Sequence, residues 1–176
     1  MRILIVSGAG GGSSKKSVGK YLHLKSFGDE LKKFNVEYKL INESDYVLGF
    51  PTKSLRKYFS SKNKLDKLIS EFEPDVVLID RQSNFGLEII KRKIPLFVLL
   101  RGHYWSEIEY AKDTIYKGKI MRKVLDIRAD VAEQVFAGST EILPICHYLK
   151  EIVKEHHPTQ KSSVFIEGVD AKKWYK

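Results

Sequence analysis

Short apolar runs that alternate with helical repeats constrain this chain more than any other feature. Arg2–Ser7 (RILIVS) is rich in β-branched residues and runs into glycines, the pattern of a strand buried on both faces, as in parallel sheets. Asp75–Asp80 and Leu96–Leu100 read the same way, Val36–Ile41 alternates loosely as a further strand, and Glu141–Ile145 and Ser163–Ile166 complete a set of six. Between them, Leu24, Phe27, Leu31 and Phe34 recur at spacings of three and four and predict an amphipathic helix over roughly 18–34. Leu65, Leu68, Ile69 and Phe72 predict another, stopped by Pro74; Phe85, Ile89 and Ile90 mark a short one. Ile108, Ala111 and Ile115 are set apart by Gly118 from a longer repeat at Ile120, Val124, Ile127, Val131 and Val135, and a last helix is expected over 148–156. Strands and helices taking turns specify an α/β domain, a Rossmann-like parallel sheet with helices on both faces. Such sheets bind ligands beyond the carboxyl ends of their strands, which here are the loops after Ser7, Ile41, Asp80, Leu100 and Ile145.

The 176 residues suffice for one domain with one sizeable core. Hydrophobic residues at 43% and charged residues at 30% exclude a disordered or fibrous chain. The longest apolar runs fall far short of the roughly 20 residues that cross a bilayer, and no secretory leader is recognisable. The single cysteine, Cys146, makes neither an internal disulfide nor a CxxC metal pair, which suits a reducing compartment, so a cytoplasmic location is expected. Lysine and arginine number 31 against 22 acids, a net charge of +9, so the expected partners are anionic. Six of these cations fall within Lys53–Lys67 against one acid, Asp66, in a stretch expected as a solvated loop running into a helix.

The loop after Ser7, SGAGGGSS, sets Gly8, Gly10, Gly11 and Gly12 before a helix start, where free amides and the helix dipole favour a phosphate. It is not a Walker A loop, because none of Lys15, Lys16 and Lys20 has both the preceding glycine and the following Ser or Thr. Nor does it complete GxGxxG, since the last glycine is missing and the next strand-end acid, Glu43, is too distant. A turn without a ligand is the plain alternative. His103, in RGHYW after an apolar strand, is placed to face the cleft and meet a sugar hydroxyl or a developing charge, or to be a structural histidine. His147, His156 and His157 lack the spacing of a helical metal pair and an evident carboxylate partner, and are expected to be solvated. Asp75 and Asp80 stand at opposite ends of one strand and cannot form a carboxylate dyad.

The succession RILIVSGAGGGSS, PDVVLIDR, IPLFVLLRGHYW, ILPICHYLKEIVKEH and VFIEGVDAKKW resembles the amino-terminal domain of a retaining GT-B glycosyltransferase of glycosyltransferase family 4. The closing Gly168-Val169-Asp170 and Trp174 carry the most specific part of the likeness. Cys146 stands where the family usually has Ser, and Glu167 where it usually has Asn.

The resemblance implies transfer of a sugar from a nucleotide-sugar donor to an acceptor sugar or lipid-linked glycan, without a metal or other cofactor. Residues 1–176 would be the acceptor-side lobe, with the donor-binding carboxyl-terminal domain outside this chain and this lobe inactive alone. Gly10, Gly11, Gly12 and Ser13 would approach the donor diphosphate, and His103 would be the catalytic histidine beside the reacting sugar. Arg81, Arg101, Tyr104 and Glu167 would lie on the acceptor side of the cleft. Arg56, Lys57, Lys62 and Lys64 would face an anionic membrane, making the protein peripheral at the cytoplasmic face. Two other classes fit parts of the sequence. A basic nucleic-acid-binding module would use 53–67 but lacks a recognition motif, and a stand-alone nucleotide- or phosphate-binding protein of flavodoxin-like fold explains the glycine loop but not the GVD ending.

Overall fold

The computed structural model describes residues 1–8, 18–46, 48–49 and 55–168, the side chains of Val18 and Leu55 excepted. Five strands form one parallel sheet in the order β2-β1-β3-β4-β5: β1 Arg2–Ser7, β2 Glu37–Asn42, β3 Val76–Ile79, β4 Leu96–Leu100 and β5 Glu141–Pro144. The helices are α1 Val18–Leu31, α2 Leu55–Phe72, α3 Asn84–Lys91, α4 Tyr104–Thr114, α5 Lys119–Gly138 and α6 His147–His156. The expected α/β architecture is therefore the observed one. The order 2-1-3-4-5 is that of flavodoxin-like doubly wound sheets, whose winding reverses between β1 and β3.

Strand alternation sorts the core into two layers. Leu4, Val6, Val77, Ile79, Val98, Leu100 and Ile142 face one side, where α2 supplies Leu65, Leu68 and Phe72, α3 supplies Phe85 and Ile89, and α5 supplies Ala132, Val135 and Phe136. Ile3, Ile5, Leu78 and Leu99 face the other, against Leu24 and Phe27 of α1. Burying an apolar side chain of this size is worth about 1.5–3 kcal/mol, so losing either layer would strip the sheet of what holds it. In α1, Gly28 gives way to the ring of Tyr38 on β2: a Cβ there would come within 2.4 Å of that ring. The Tyr38 hydroxyl in turn donates to Asp29 at 2.7 Å.

Three expectations need correction. The sixth strand does not form. Residues 161–165 run beside β5, with Ser163 N–H donating to Ile142 O and Phe165 N–H to Pro144 O, but only the bridge Ile142–Ser162 is closed. Pro144 has no N–H to return to this segment, so the ladder stops there. The stretch Lys53–Lys67 is not a loop where it is described, since α2 begins at Leu55 and the cations ride on its exposed turns. The helix expected from the repeat at Ile108, Ala111 and Ile115 begins earlier, with Tyr104 and Trp105 opening α4.

Cys146 is the N-cap residue of α6, and its thiol makes no capping hydrogen bond. A serine hydroxyl would accept one from the first turn, so Cys146→Ser is expected to raise stability by about 0.5–1 kcal/mol in urea unfolding. Gly28→Ala is expected to lose about 1–2 kcal/mol, the overpacking against Tyr38 outweighing the better helix propensity. In a Tyr38→Ala background the same substitution should be neutral or stabilising, a coupling readable by double-mutant cycle.

Candidate functional site

All the strands point their carboxyl ends to one edge, and a cleft of about 760 Å³ opens there. Its floor is the point where the winding reverses. Asp80, just past β3, accepts the N–H of Gly8, just past β1, through Oδ1, while its buried Oδ2 has no hydrogen-bond partner. The approach is close enough to exclude a side chain at position 8, where a Cβ would lie 2.6 Å from the Cβ of Arg81 and 2.7 Å from Asp80 Oδ1.

The walls come from the other strand ends and from α4 and α5. Arg81, Arg101 and Tyr104 line the cleft, as expected from the sequence. Lys20, Glu43, Asp80, Glu107 and Arg128 join them, none of them among the site residues expected from sequence. Glu43 and Asp80 were legible as acids directly after strands; Lys20, Glu107 and Arg128 sit within helices and carry no such signal. Burial pushes the Glu43 carboxyl above its ordinary value, offset in part by a hydrogen bond with Ser83 and the charge of Arg81. Burial also pushes the Tyr104 phenol up to about 12, so it stays a neutral donor, placed 3.4 Å from the carbonyl of Arg128. Four cations and three carboxylates thus surround one space. The wall offers both donors and acceptors, which suits a polyhydroxylated ligand better than a purely anionic one.

Glu167 lies outside the cleft wall but holds it. Its Oε1 pairs with Arg101 Nη2 at 2.5 Å, and Oε2 lies 3.3 Å from His23 Nδ1 on α1. His23 Nε2 also contacts the Gly168 carbonyl at 2.9 Å. The Arg101–Glu167 contact is a close ion pair without hydrogen-bond alignment, and Arg101 Nε is buried without a partner.

His103 is the N-cap of α4, its Nδ1 accepting the Ser106 N–H at 3.2 Å. Its ring neighbours Trp105, Tyr148 and His156, with centroids 6.3 to 6.4 Å away, and it is not part of the cleft wall. The expectation of solvated histidines holds for His147 and His156, which are exposed, and is corrected at His157, which packs inward. His156 stacks on Trp105 with centroids 4.0 Å apart, and His157 Nε2 lies 2.9 Å from Glu133, whose other oxygen accepts Trp105 Nε1–H at 2.7 Å. These partners come from α4 and α5, too far along the chain for sequence spacing to show. Arg56, Lys57, Lys62 and Lys64 are exposed on α2, away from the cleft wall. Gly10, Gly11, Gly12, Ser13, Val169, Asp170 and Trp174 lie outside the described residues. Among the described residues, no three His, Cys, Asp or Glu side chains are grouped so as to hold a metal ion.

No family model and no curated protein matches the sequence. Solved structures do match the fold. A UDP-GlcNAc 2-epimerase from Methanocaldococcus jannaschii aligns with 93% of this chain and 45% of its own at 16% identity, TM-score 0.55. Glycyrrhiza uralensis UGT73P12, solved with glycyrrhetinic acid 3-O-monoglucuronide, aligns with 93% of this chain and 48% of its own at 10% identity, TM-score 0.50. The chain thus spans less than half the length of either structure. At these identities the likeness is one of fold: a GT-B-like, Rossmann-like lobe.

The raised Glu43 pKa gives a signed expectation. Below the ordinary value of 4.5 the carboxyl is protonated folded or unfolded and costs nothing; as pH rises, ionising it in its buried setting destabilises the fold. Glu43→Gln, which keeps an acceptor for Ser83, should therefore be more stable than the parent at pH 7 and equal to it near pH 4, measured by thermal melting.

Proposed function

We propose that this chain is the amino-terminal, acceptor-side lobe of a GT-B glycosyltransferase that moves a sugar from a nucleotide-sugar donor to an acceptor held in the cleft. The observation that carries the reading is the carboxyl-edge cleft of a GT-B-like lobe, walled by cations and carboxylates in near balance. Both structural neighbours concern sugars: one is a UDP-GlcNAc 2-epimerase, and the other was solved with a glucuronide. In this reading Glu43, Asp80 and Glu107 accept from acceptor hydroxyls, Arg81, Arg101 and Arg128 donate to them, and Glu167 fixes the Arg101 fork. Transfer proceeds with retention and without a metal, the leaving diphosphate meeting the backbone amides of Gly10, Gly11, Gly12 and Ser13.

His103 caps α4 outside the cleft wall, so its role beside the reacting sugar requires that sugar to lie beyond the wall and the imidazole to be shared with the cap. His103→Asn keeps a capping acceptor while removing the imidazole. The acceptor is a sugar or lipid-linked glycan, and Arg56, Lys57, Lys62 and Lys64 on α2 belong to a side that meets an anionic membrane at its cytoplasmic face. Catalysis requires the opposing donor lobe, so the chain alone is inactive.

A second reading, a stand-alone nucleotide-binding protein, is favoured by the strand order, which is that of flavodoxin-like sheets. The two separate on nucleotide affinity. With only one wall of a donor site, the chain should bind UDP-sugars weakly, at about millimolar Kd or worse. In ¹⁵N-resolved NMR titrations, a panel of methyl glycosides should shift amides around Glu43, Asp80, Arg81 and Arg101, and Arg101→Met should abolish those shifts. Submicromolar binding of a UDP-sugar or free nucleotide by the chain alone would establish the second reading instead.

A further inference from the structure

The segment that follows α6 is tied to β5 by its backbone only as far as Phe165. Among the described residues, Phe165 N–H to Pro144 O is its last main-chain hydrogen bond, and Ile166 beyond it is 77% exposed. What grips the next two residues is α1. Phe27 meets the ring of Phe165 edge-on, with centroids 5.2 Å apart. One turn earlier, His23 turns a ring nitrogen to each of Glu167 and Gly168: Nδ1 lies 3.3 Å from Glu167 Oε2, and Nε2 lies 2.9 Å from the Gly168 carbonyl. Both of those oxygens are acceptors. A neutral imidazole has one N–H and one lone pair, so either tautomer would turn a lone pair on a carboxylate or on a carbonyl. Only the imidazolium, with a proton on each nitrogen, suits both contacts.

We infer that His23 is a positioning residue for the cleft: as an imidazolium it clamps Glu167 against Arg101, and the cleft binds its ligand more tightly while that clamp is closed. Glu167 stands between two cations, with His23 on one oxygen and Arg101 Nη2 on the other at 2.5 Å. Arg101 lines the cleft, and its Nε and Nη2 are buried without a hydrogen-bond partner. The charge of Glu167, and not directional hydrogen bonds at those two nitrogens, therefore steadies the guanidinium. A cation already held in place loses less freedom on meeting a ligand than one that wanders. The sheet under α1 offers His23 no other charge: β1 and β2 turn Ile3, Ile5, Tyr38 and Leu40 to this side, β3 and β4 turn Leu78 and Leu99, and the Tyr38 hydroxyl is engaged with Asp29. The charged groups around it are Glu167, with Arg101 behind it, and Lys20 one turn earlier on α1, which also lines the cleft. As pH rises through the range in which imidazole gives up its proton, about 5 to 8, one of the two His23 contacts turns repulsive, Glu167 is released and Arg101 is freed. The effect on ligand affinity rests on the cleft being the ligand site proposed above; the clamp itself does not.

The test has two arms, both on the full chain. Thermal melting of His23→Gln, Glu167→Gln and the double variant closes a cycle that needs no ligand. The two substitutions should be clearly non-additive at about pH 6 and close to additive at about pH 8, where imidazole is mostly neutral. In the second arm, methyl glycosides that shift the amides around Asp80 and Arg101 are titrated at the same two pH values. Parent affinity should fall about threefold from the lower to the higher, the size expected of a partly exposed ion pair, and His23→Gln should bind with the weaker affinity at both. Additivity at the lower pH, a parent affinity that does not change with pH, or an equal pH dependence in His23→Gln would each overturn the inference. If no methyl glycoside shifts the cleft amides, the failure is that of the acceptor-lobe reading, and the melting cycle alone decides the clamp: non-additivity upholds it and additivity overturns it.

Discussion

A parallel sheet is apolar on both faces and every connection between its strands has to cross from one end to the other, and the rest of this structure follows from that constraint. The crossings must be amphipathic helices, because only they can cover the faces while satisfying their own backbone. Each strand then delivers its carboxyl end to the same edge. Ser7, Asn42, Ile79 and Leu100 bring Gly8, Glu43, Asp80 and Arg101 together although they are far apart in the chain. The Asp80–Gly8 hydrogen bond ties the two strand ends between which the winding reverses, and the room it leaves above them is the cleft.

Within that cleft the balance of charge matters more than its total. The chain as a whole is basic by nine charges, yet the cleft sets Lys20, Arg81, Arg101 and Arg128 against Glu43, Asp80 and Glu107. Among the described residues, further cations cluster on α2 and, between α4 and α5, at Lys117, Lys119, Arg122 and Lys123. The molecule thus separates a polar recognition space from surfaces suited to anions. Glu167 links the two ends of the fold by reaching from the segment after α6 to Arg101 and His23, so the orientation of one cleft cation depends on a residue late in the sequence.

Several features were readable before any coordinates. The strands at Arg2–Ser7, Val76–Ile79 and Leu96–Leu100 were legible because strands buried on both faces need uninterrupted β-branched and aliphatic residues. Arg81 and Arg101 follow such runs closely and do line the cleft, whereas His103, two residues after Arg101, does not, so position after a strand was only a partial guide. The failure at Ser163–Ile166 has a single atomic cause, the missing N–H of Pro144, which belongs to the neighbouring strand and not to the segment itself. His157 was misread because its partner Glu133 is brought to it by α5.

Taken alone, the sequence determined what its local periodicity encodes: an α/β sheet, the burial of its central strands, and the edge at which a ligand site would open. Those depend on side-chain spacing along one segment at a time. Tertiary structure decided which residues share the cleft, because Lys20, Glu107 and Arg128 reach it only through helix packing. It also decided that His103 caps a helix, that Glu43 sits where burial raises its pKa, and that His23 meets Glu167. Each of these is a property of neighbours far apart in the chain, and no local pattern specifies such neighbours.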